Sequence, residues 1–335
     1  MTILLVADVP GWAWDRRARG IQKYAQVSVD VAYDASPAVM RGSRYDAILL
    51  MDWTQIRAKE HRNGWGMVAS EGCMQEWPQV ASDQLNARMA SQSKNCRMAK
   101  ARMPLFAGII TVNPEQRVRE FLLTMIPRVR YQRTGVDTEI FHPLRQVRPD
   151  YERLRIGWCG KPSIGQRFSP KGFDEVLLPL QAKLGNIVDG VSIEWVLNTR
   201  YHTDRLTTEE MVEWYNSIDV LVVTSSAEGT PSVLLEAMSC GVPVISTAVG
   251  ITSEVSQMED EICQTRGLRI VPRYRTLAEA PSVVDALTTE LEWVCRFPEM
   301  HRSMSRSARH VMTTAFSWEM LADHWIETLL SVPSL

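Results

Sequence analysis

Short, continuous apolar runs alternate with longer amphipathic stretches along the whole chain, and this alternation limits the fold more than any other feature. In the first half the runs at 3–7, 46–51, 67–70 and 108–112 read as strands, and 16–26, 82–101 and 114–123 as helices. In the second half 155–159, 192–197, 219–224, 243–246 and 268–271 read as strands. They are interleaved with helical patterns near 172–184, 208–217, 231–240, 279–296 and 298–313. Strands without a polar face belong to parallel sheets covered by helices on both sides. With 335 residues there is room for two such units, so the expectation is α/β. Specifically, two doubly wound, Rossmann-like domains face across a cleft, with ligand at the carboxyl ends of the strands.

A polar stretch from Phe141-His142-Pro143 to Asp150 marks the boundary. It divides the chain into domains at 1–145 and 146–316. A last helix follows within 317–332, with Trp318, Leu321, Trp325, Ile326, Leu329 and Leu330 on one stripe that requires burial, and it is expected to return to the first domain.

Composition removes several classes. The chain is 45% hydrophobic and 23% charged with 18 Gly and 17 Pro, which excludes disordered and collagen-like readings. No run of about 18 apolar residues is available to span a membrane, and the opening apolar run is too short for a signal peptide and reads as a first strand. Six cysteines (73, 96, 159, 240, 263, 295) are scattered, with no Cys-x-x-Cys pair, which points to free thiols in a cytoplasmic protein. The net charge of −2 conceals an asymmetry. Residues 1–150 hold 21 Lys+Arg against 15 Asp+Glu, and the remainder 16 against 24. A domain of one sign suggests an anionic partner, whereas a single charged run is more often a solvated helix face.

The stretch 219–247 carries the most chemistry. A buried strand runs into a loop holding Glu228 and Gly229, then into a short helix with Thr230 as N-cap and Pro231 at its first position. Gly241 and Pro243 end that helix. Amides at its start can face an anion. Glu228 and Glu236 beside such a site make sense if each binds hydroxyls, and a nucleotide sugar offers phosphate and hydroxyls together. A capping carboxylate plus a surface one is the competing reading, and a short motif alone does not choose.

Residues Glu228-Gly229 through Glu236-Ala237 resemble the E-x7-E motif of the family-4 retaining glycosyltransferases of the GT-B fold. The continuation Gly241-Val242-Pro243-Val244-Ile245-Ser246-Thr247 and the lead-in Tyr215 to Asp219 are similar to that family too. So is Thr134-Gly135-Val136-Asp137 to Phe141-His142-Pro143. The likeness is good over roughly 105–255.

That resemblance implies an acceptor-binding first domain and a nucleotide-sugar-binding second one. It implies that Glu228 contacts the donor sugar and Glu236 the ribose. The family's G-R-x4-K-G pattern corresponds to Gly160-Lys161 followed by Lys171-Gly172, with Lys for Arg and a longer spacing. Lysine supplies a point charge, not a bidentate fork. The donor set is then Gly160, Lys161, Lys171, Glu228, Gly229, Thr230, Ser232 and Glu236, with Glu228 and Lys171 as the catalytic pair. For either lysine alone a surface side chain is the commoner fate, and the position of each beside a glycine, after a strand or before a helix, favours function. Pro231 stands where the family often has Gly, and no His follows the strand at 67–70, where Glu71 is a substitute; His61 is the nearest histidine and reads as a surface residue.

Around the first strand, Gly11 permits a tight turn, with Trp12, Trp14 and Asp15 beside the expected cleft. Together with Glu71 these form the acceptor-side set. The tryptophans can equally pack on the adjacent helix, and for Asp15 the capping of a helix starting near Arg16 is slightly favoured over orienting an acceptor hydroxyl.

With no Asp-x-Asp in the chain, a metal clamp is not expected and no cofactor is required beyond a UDP-, GDP- or ADP-sugar as co-substrate. Lysines and helix amides then meet the departing diphosphate. The resemblance implies retention, and without an evident enzymic nucleophile a front-face route is favoured. A GT-B-fold binder or epimerase of nucleotide sugars is the alternative. Residues 85–133 hold ten basic side chains against Glu115 and Glu120, and five of 11 tryptophans fall in the first 80 residues. Basic residues 88–133 with interleaved aromatics suit nucleic acid such as modified DNA, or a lipid-linked acceptor at an anionic membrane. Leu85, Met89, Met98 and Met103 give only a weak apolar face, which favours nucleic acid of the two. A neutral acceptor is the third reading.

Overall fold

The computed structural model describes residues 1–33, 45–55, 64–68, 94–144, 152–162, 170–199 and 205–331. In chain order the elements are β1 (Thr2–Val6), α1 (Ala13–Tyr24), β2 (Ser28–Ala32), β3 (Ala47–Leu50), β4 (Gly64–Val68), α2 (Lys94–Arg102), β5 (Gly108–Thr111), α3 (Gln116–Leu123) and β6 (Val129–Tyr131). There follow β7 (Arg153–Cys159), α4 (Leu178–Leu184), β8 (Ile187–Val188), β9 (Val191–Asn198), α5 (Thr208–Ser217), β10 (Val220–Val223) and α6 (Ser232–Ser239). The chain continues through β11 (Val244–Thr247), α7 (Thr252–Ile262), β12 (Leu268–Val271), α8 (Ala280–Arg296), α9 (Pro298–Ala315) and α10 (Trp318–Leu330).

Two compact units result. The first comprises Met1–Asp137, Glu228–Thr230 and Phe316–Leu335; the second comprises Thr138–Ala227 and Pro231–Ala315. Residues 145–151, which include the expected boundary, lie outside the described residues.

In the first unit a parallel sheet runs β2-β1-β3-β4-β5-β6. Successive side chains alternate between two buried faces. Leu4, Val6, Ile48 and Leu50 enter one core, while Ile3, Leu5, Ala47 and Leu49 enter the other. This is why the strands read as unbroken apolar runs. The stripe of α10 covers the second face: Trp318, Leu321, Trp325, Ile326 and Leu329 join Ala18 and Ile21 of α1. The helices meet at Gly20, where a Cβ would stand 2.2 Å from the Trp318 ring.

The second unit has the order β12-β11-β10-β7-β9-β8, parallel except for the short edge strand β8. Its core packs Leu154, Ile156, Val220, Val222 and Ile245 against α4 and α8.

Four elements lie beyond those expected from sequence. β2 and β6 are edge strands, and β8 has two residues, so none carries a long apolar run. α7 buries only Thr252, Val255, Ser256 and Glu259, a mostly polar stripe that periodicity does not register. The strand expected at 67–70 begins earlier, at Gly64, because Gly66 and Gly108 make room for neighbouring rings: a Cβ there would meet Phe106 at 2.8 Å and Trp65 at 2.5 Å. The helix expected at 82–101 is described from Lys94 on.

Candidate functional site

In the second unit, β7 lies between β9 and β10. The connections leaving β7 and β10 therefore diverge, and the space beyond their carboxyl ends is a topological switch point, where open α/β sheets bind ligands. Gly160 and Lys161 follow β7 directly. The Gly160 amide donates to the Asn198 carbonyl at 3.1 Å, and a Cβ on Gly160 would meet the Trp158 ring at 2.9 Å. Lys161 is exposed.

The Lys171 segment is fastened to the end of β10. Thr224 Oγ1 donates to the Lys171 carbonyl at 2.7 Å, and the Ser226 amide donates to the Pro170 carbonyl at 2.9 Å. The Trp158 indole donates to Thr224 Oγ1 at 2.9 Å. Gly172 sits at φ +68°, and a Cβ there would lie 2.3 Å from the Thr224 carbonyl oxygen. Only glycine adopts that conformation at that distance from backbone. Lys171 is half-buried on a segment fastened by Thr224 and Ser226, before the π-helical turn Phe173–Leu177 that leads into α4.

The short helix α6 begins at Ser232, with Pro231 at its N-cap and no side-chain cap bond. The expectation of Thr230 as cap is corrected: its hydroxyl donates to the Val112 carbonyl at 2.9 Å instead, and a hydroxyl turned to β5 does not serve the helix. The other end follows expectation. Gly241, at φ +75°, donates to the Met238 carbonyl and Val242 to that of Ala237, a Schellman ending.

Glu236 of α6 is buried to 4% exposure. A carboxylate that deep needs hydrogen-bond donors, and Tyr215 Oη supplies one to Glu236 Oε2 at 2.8 Å. Sequence reasoning singled out Tyr215 only as the start of a lead-in pattern.

Glu228, Gly229 and Thr230 group with the first unit. Arg17 of α1, 5% exposed, donates to the Thr230 carbonyl at 3.1 Å, and Asn113 Nδ2 donates to the Glu228 carbonyl at 3.4 Å. Neither Arg17 nor Asn113 stands out in the sequence. Both anchor main chain, which no side-chain motif announces.

The first unit has its own switch point, because β1 lies between β2 and β3. Gly11 turns the chain at φ +74° after β1. Trp12 is the N-cap residue of α1, without a side-chain cap bond. Trp14 packs against the core, and the Arg17 guanidinium stands 5.2 Å from its ring centre. The helix starts at Ala13, not near Arg16, so Asp15 is its third residue. Its carboxylate reaches back to the Gly11 amide at 2.6 Å and also accepts from Tyr33 Oη at 2.7 Å. Asp8 is held above the usual carboxylate range, chiefly by burial, with Asp52 and Asp15 adding to the rise. Glu71, His61, Arg88, Leu85 and Met89 lie outside the described residues.

The basic stretch is mixed in use. Arg97, Lys100, Arg119 and Arg130 are exposed. Arg117 pairs with Glu115 at 2.6 Å, Arg102 donates to the Thr54 carbonyl, and Arg133 stands 4.9 Å from the Phe316 ring centre. Met98 and Met103 pack into the first unit's core, so neither contributes an outward apolar face.

Two Rossmann-like sheets of this kind define a GT-B fold, and solved structures agree. The chain is similar to sucrose-phosphate synthase from Thermosynechococcus elongatus over 98% of both chains, with TM-score 0.64 and 17% identity. It is also similar to Anabaena HepE in complex with UDP and glucose, with TM-score 0.61, 13% identity, and 99% and 100% of the chains covered. Residues 189–281, all from the second unit except Glu228–Thr230, match the family model described as glycosyl transferases group 1. Among curated proteins, the chain is 30% identical over 150 residues to a GDP-mannose-dependent alpha-mannosyltransferase of Mycobacterium tuberculosis, 42% of this chain and 39% of the relative. It is 41% identical over 107 residues to a D-inositol 3-phosphate glycosyltransferase of Paenarthrobacter aurescens, 32% of this chain and 22% of the relative. The matches thus span less than two-fifths of the length of these relatives. No helix among the described residues is long and apolar enough to cross a membrane.

Proposed function

We propose that this chain is a retaining, metal-independent glycosyltransferase that moves a sugar from a nucleoside diphosphate sugar to a hydroxyl acceptor. The reading draws most support from the end of the β7–β10 pair. There the main chain of Lys171 is fixed by Thr224 and Gly172, in the same unit as the buried carboxylate of Glu236. Cationic groups suit a diphosphate, and a preorganised carboxylate suits a hydroxyl pair such as that of ribose. The relatives' names point the same way, toward GDP-mannose and UDP as the donor nucleotides to try first.

In this scheme Glu236 holds the ribose, Lys171 and Lys161 neutralise the leaving diphosphate, and Gly160, Gly229, Thr230 and Ser232 line the donor. Glu228 reads the sugar hydroxyls. The acceptor set is Gly11, Trp12, Trp14, Asp15 and Glu71, and the exposed basic residues Arg97, Lys100, Arg119 and Arg130 suit a polyanionic acceptor such as nucleic acid. The test is release of nucleoside diphosphate from UDP-, GDP- and ADP-sugars across an acceptor panel, with and without a metal chelator. Acceptor-dependent release that survives chelation, with the donor KM of Glu236→Ala raised about tenfold, is expected. A bound nucleotide with no turnover on any acceptor means a binding protein or epimerase instead, and loss of activity in chelator ends the metal-free scheme.

A further inference from the structure

Tyr215 is a fully buried residue on the last turn of α5, and its hydroxyl donates to Glu236 Oε2, 2.8 Å away on α6. A phenylalanine would fill the same space, and burying a phenol oxygen is costly unless it has a partner.

The ring is clamped from several sides. Phe141 meets it edge-on at 6.1 Å between centroids, and Trp214 does so at 5.1 Å. The next residue, Asn216, donates to the His142 carbonyl at 3.1 Å and accepts from the Leu144 amide at 2.7 Å, tying the end of α5 to that same segment. The far end of α6 is held too: Arg309 donates to the carbonyls of Ser239 and Phe141, each at 2.8 Å, and Ser239 Oγ donates to the Phe141 carbonyl at 2.6 Å. Both partners of the Tyr215–Glu236 bond therefore stand on backbones fixed to segment 141–144. A hydrogen bond between groups that cannot drift sets a rotamer, and a charge-assisted one does so strongly.

We infer that Tyr215 is a positioning residue. It orients the Glu236 carboxylate for a ribose diol and so sets the preference of the donor site for ribonucleotides over nucleotides lacking the 2′- and 3′-hydroxyls. This deepens the donor-site reading and rests on it. The consequence is specific. Removing the phenol oxygen loosens the carboxylate that meets the sugar hydroxyls and leaves the diphosphate contacts of Lys171 and Lys161 untouched.

The experiment measures binding of uridine and guanosine diphosphates and of their 2′,3′-dideoxy analogues to the parent, Tyr215→Phe, Glu236→Gln and the double variant. In the parent, at least one ribonucleotide binds about tenfold or more tightly than its dideoxy analogue. Tyr215→Phe lowers that ratio severalfold while the affinity for the dideoxy form stays unchanged, and it adds no further loss of the ratio on top of Glu236→Gln. A merely structural role weakens both ligands equally and adds to Glu236→Gln, which overturns the inference. An unchanged ratio in Tyr215→Phe overturns it as well, yet leaves the donor site standing. Failure of the parent to bind any nucleoside diphosphate removes the donor site and this inference together.

Discussion

The two sheets wind alike around their first strand, and the connections beyond that strand carry different side chains. In each, the first strand of the unit lies between its neighbours so that its carboxyl end opens a crevice: β1 beside β3 in one, β7 beside β10 in the other. Beyond β1 stand Asp8 and the buried Asp15, with Asp52 at the end of β3. Beyond β7 and β10 stand Lys161, Lys171 and a glycine-dependent loop. Winding of the sheet decides where a ligand can sit. The side chains on the connections decide what it is, and in the proposed scheme the lysines of the second crevice meet an anion. The first offers hydrogen-bond acceptors, which suit a hydroxyl group.

That contrast can be broken most sharply at Lys171. Lys171→Ala is expected to lower kcat about a hundredfold or more, because the proposed scheme sets this charge against the leaving diphosphate. Near-parent turnover would make the two crevices functionally alike. The turns come next. Gly172→Ala combines positive φ with a 2.3 Å approach to the Thr224 carbonyl oxygen, whereas Gly11, also at positive φ, is exposed. Chemical denaturation should show a loss of about 2–4 kcal/mol for Gly172→Ala and about 1 kcal/mol for Gly11→Ala. Equal losses would mean that backbone conformation alone matters at both.

Buried carboxylates give a subtler contrast. Glu259 accepts from the Gly267 and Leu268 amides at 2.7 and 3.1 Å, yet burial pushes its pKa up to about 7. A carboxyl whose folded pKa is raised contributes most stability below its unfolded value near 4.5, and that contribution is lost as pH rises through 7. Glu259→Gln forfeits one amide contact but carries no charge. Its Tm deficit against the parent should therefore shrink by a few degrees from pH 4.5 to 8, and a deficit that widens would reverse the assignment. The smallest effect is expected at Asp15. Asp15→Ala loses the Gly11 and Tyr33 bonds and should cost about 1–2 kcal/mol, with nucleoside diphosphate affinity within twofold of the parent. A larger change in that affinity would tie the first crevice to the donor.

Much of this architecture is legible in one dimension, for identifiable reasons. The central strands are buried on both faces, so Ile3 to Val6 or Val220 to Val223 appear as unbroken apolar words whatever they pack against. The ending of α6 at Gly241 is equally local, because a positive φ after a helix selects glycine. Edge strands such as β2 carry no such signature, since half of their surface faces water. Glu228 and Glu236 stand out because they fall at a recognisable spacing, and Lys171 because it precedes a glycine in a similar pattern.

The residues that hold those side chains in place were not visible. Thr230 reads as a helix cap and in fact donates to Val112, 118 positions away. Asp15 reads as the start of a helix and is its third residue, and Arg17 reads as one more basic side chain while it grips the Thr230 carbonyl. Sequence by itself determined the strand–helix alternation, the two-sheet fold and the identity of the chemically distinctive side chains, because these follow from local periodicity and residue type. Only the tertiary structure decided which donor meets which acceptor, such as Tyr215 with Glu236, because a hydrogen bond depends on distance in space and distance along the chain carries no information about it.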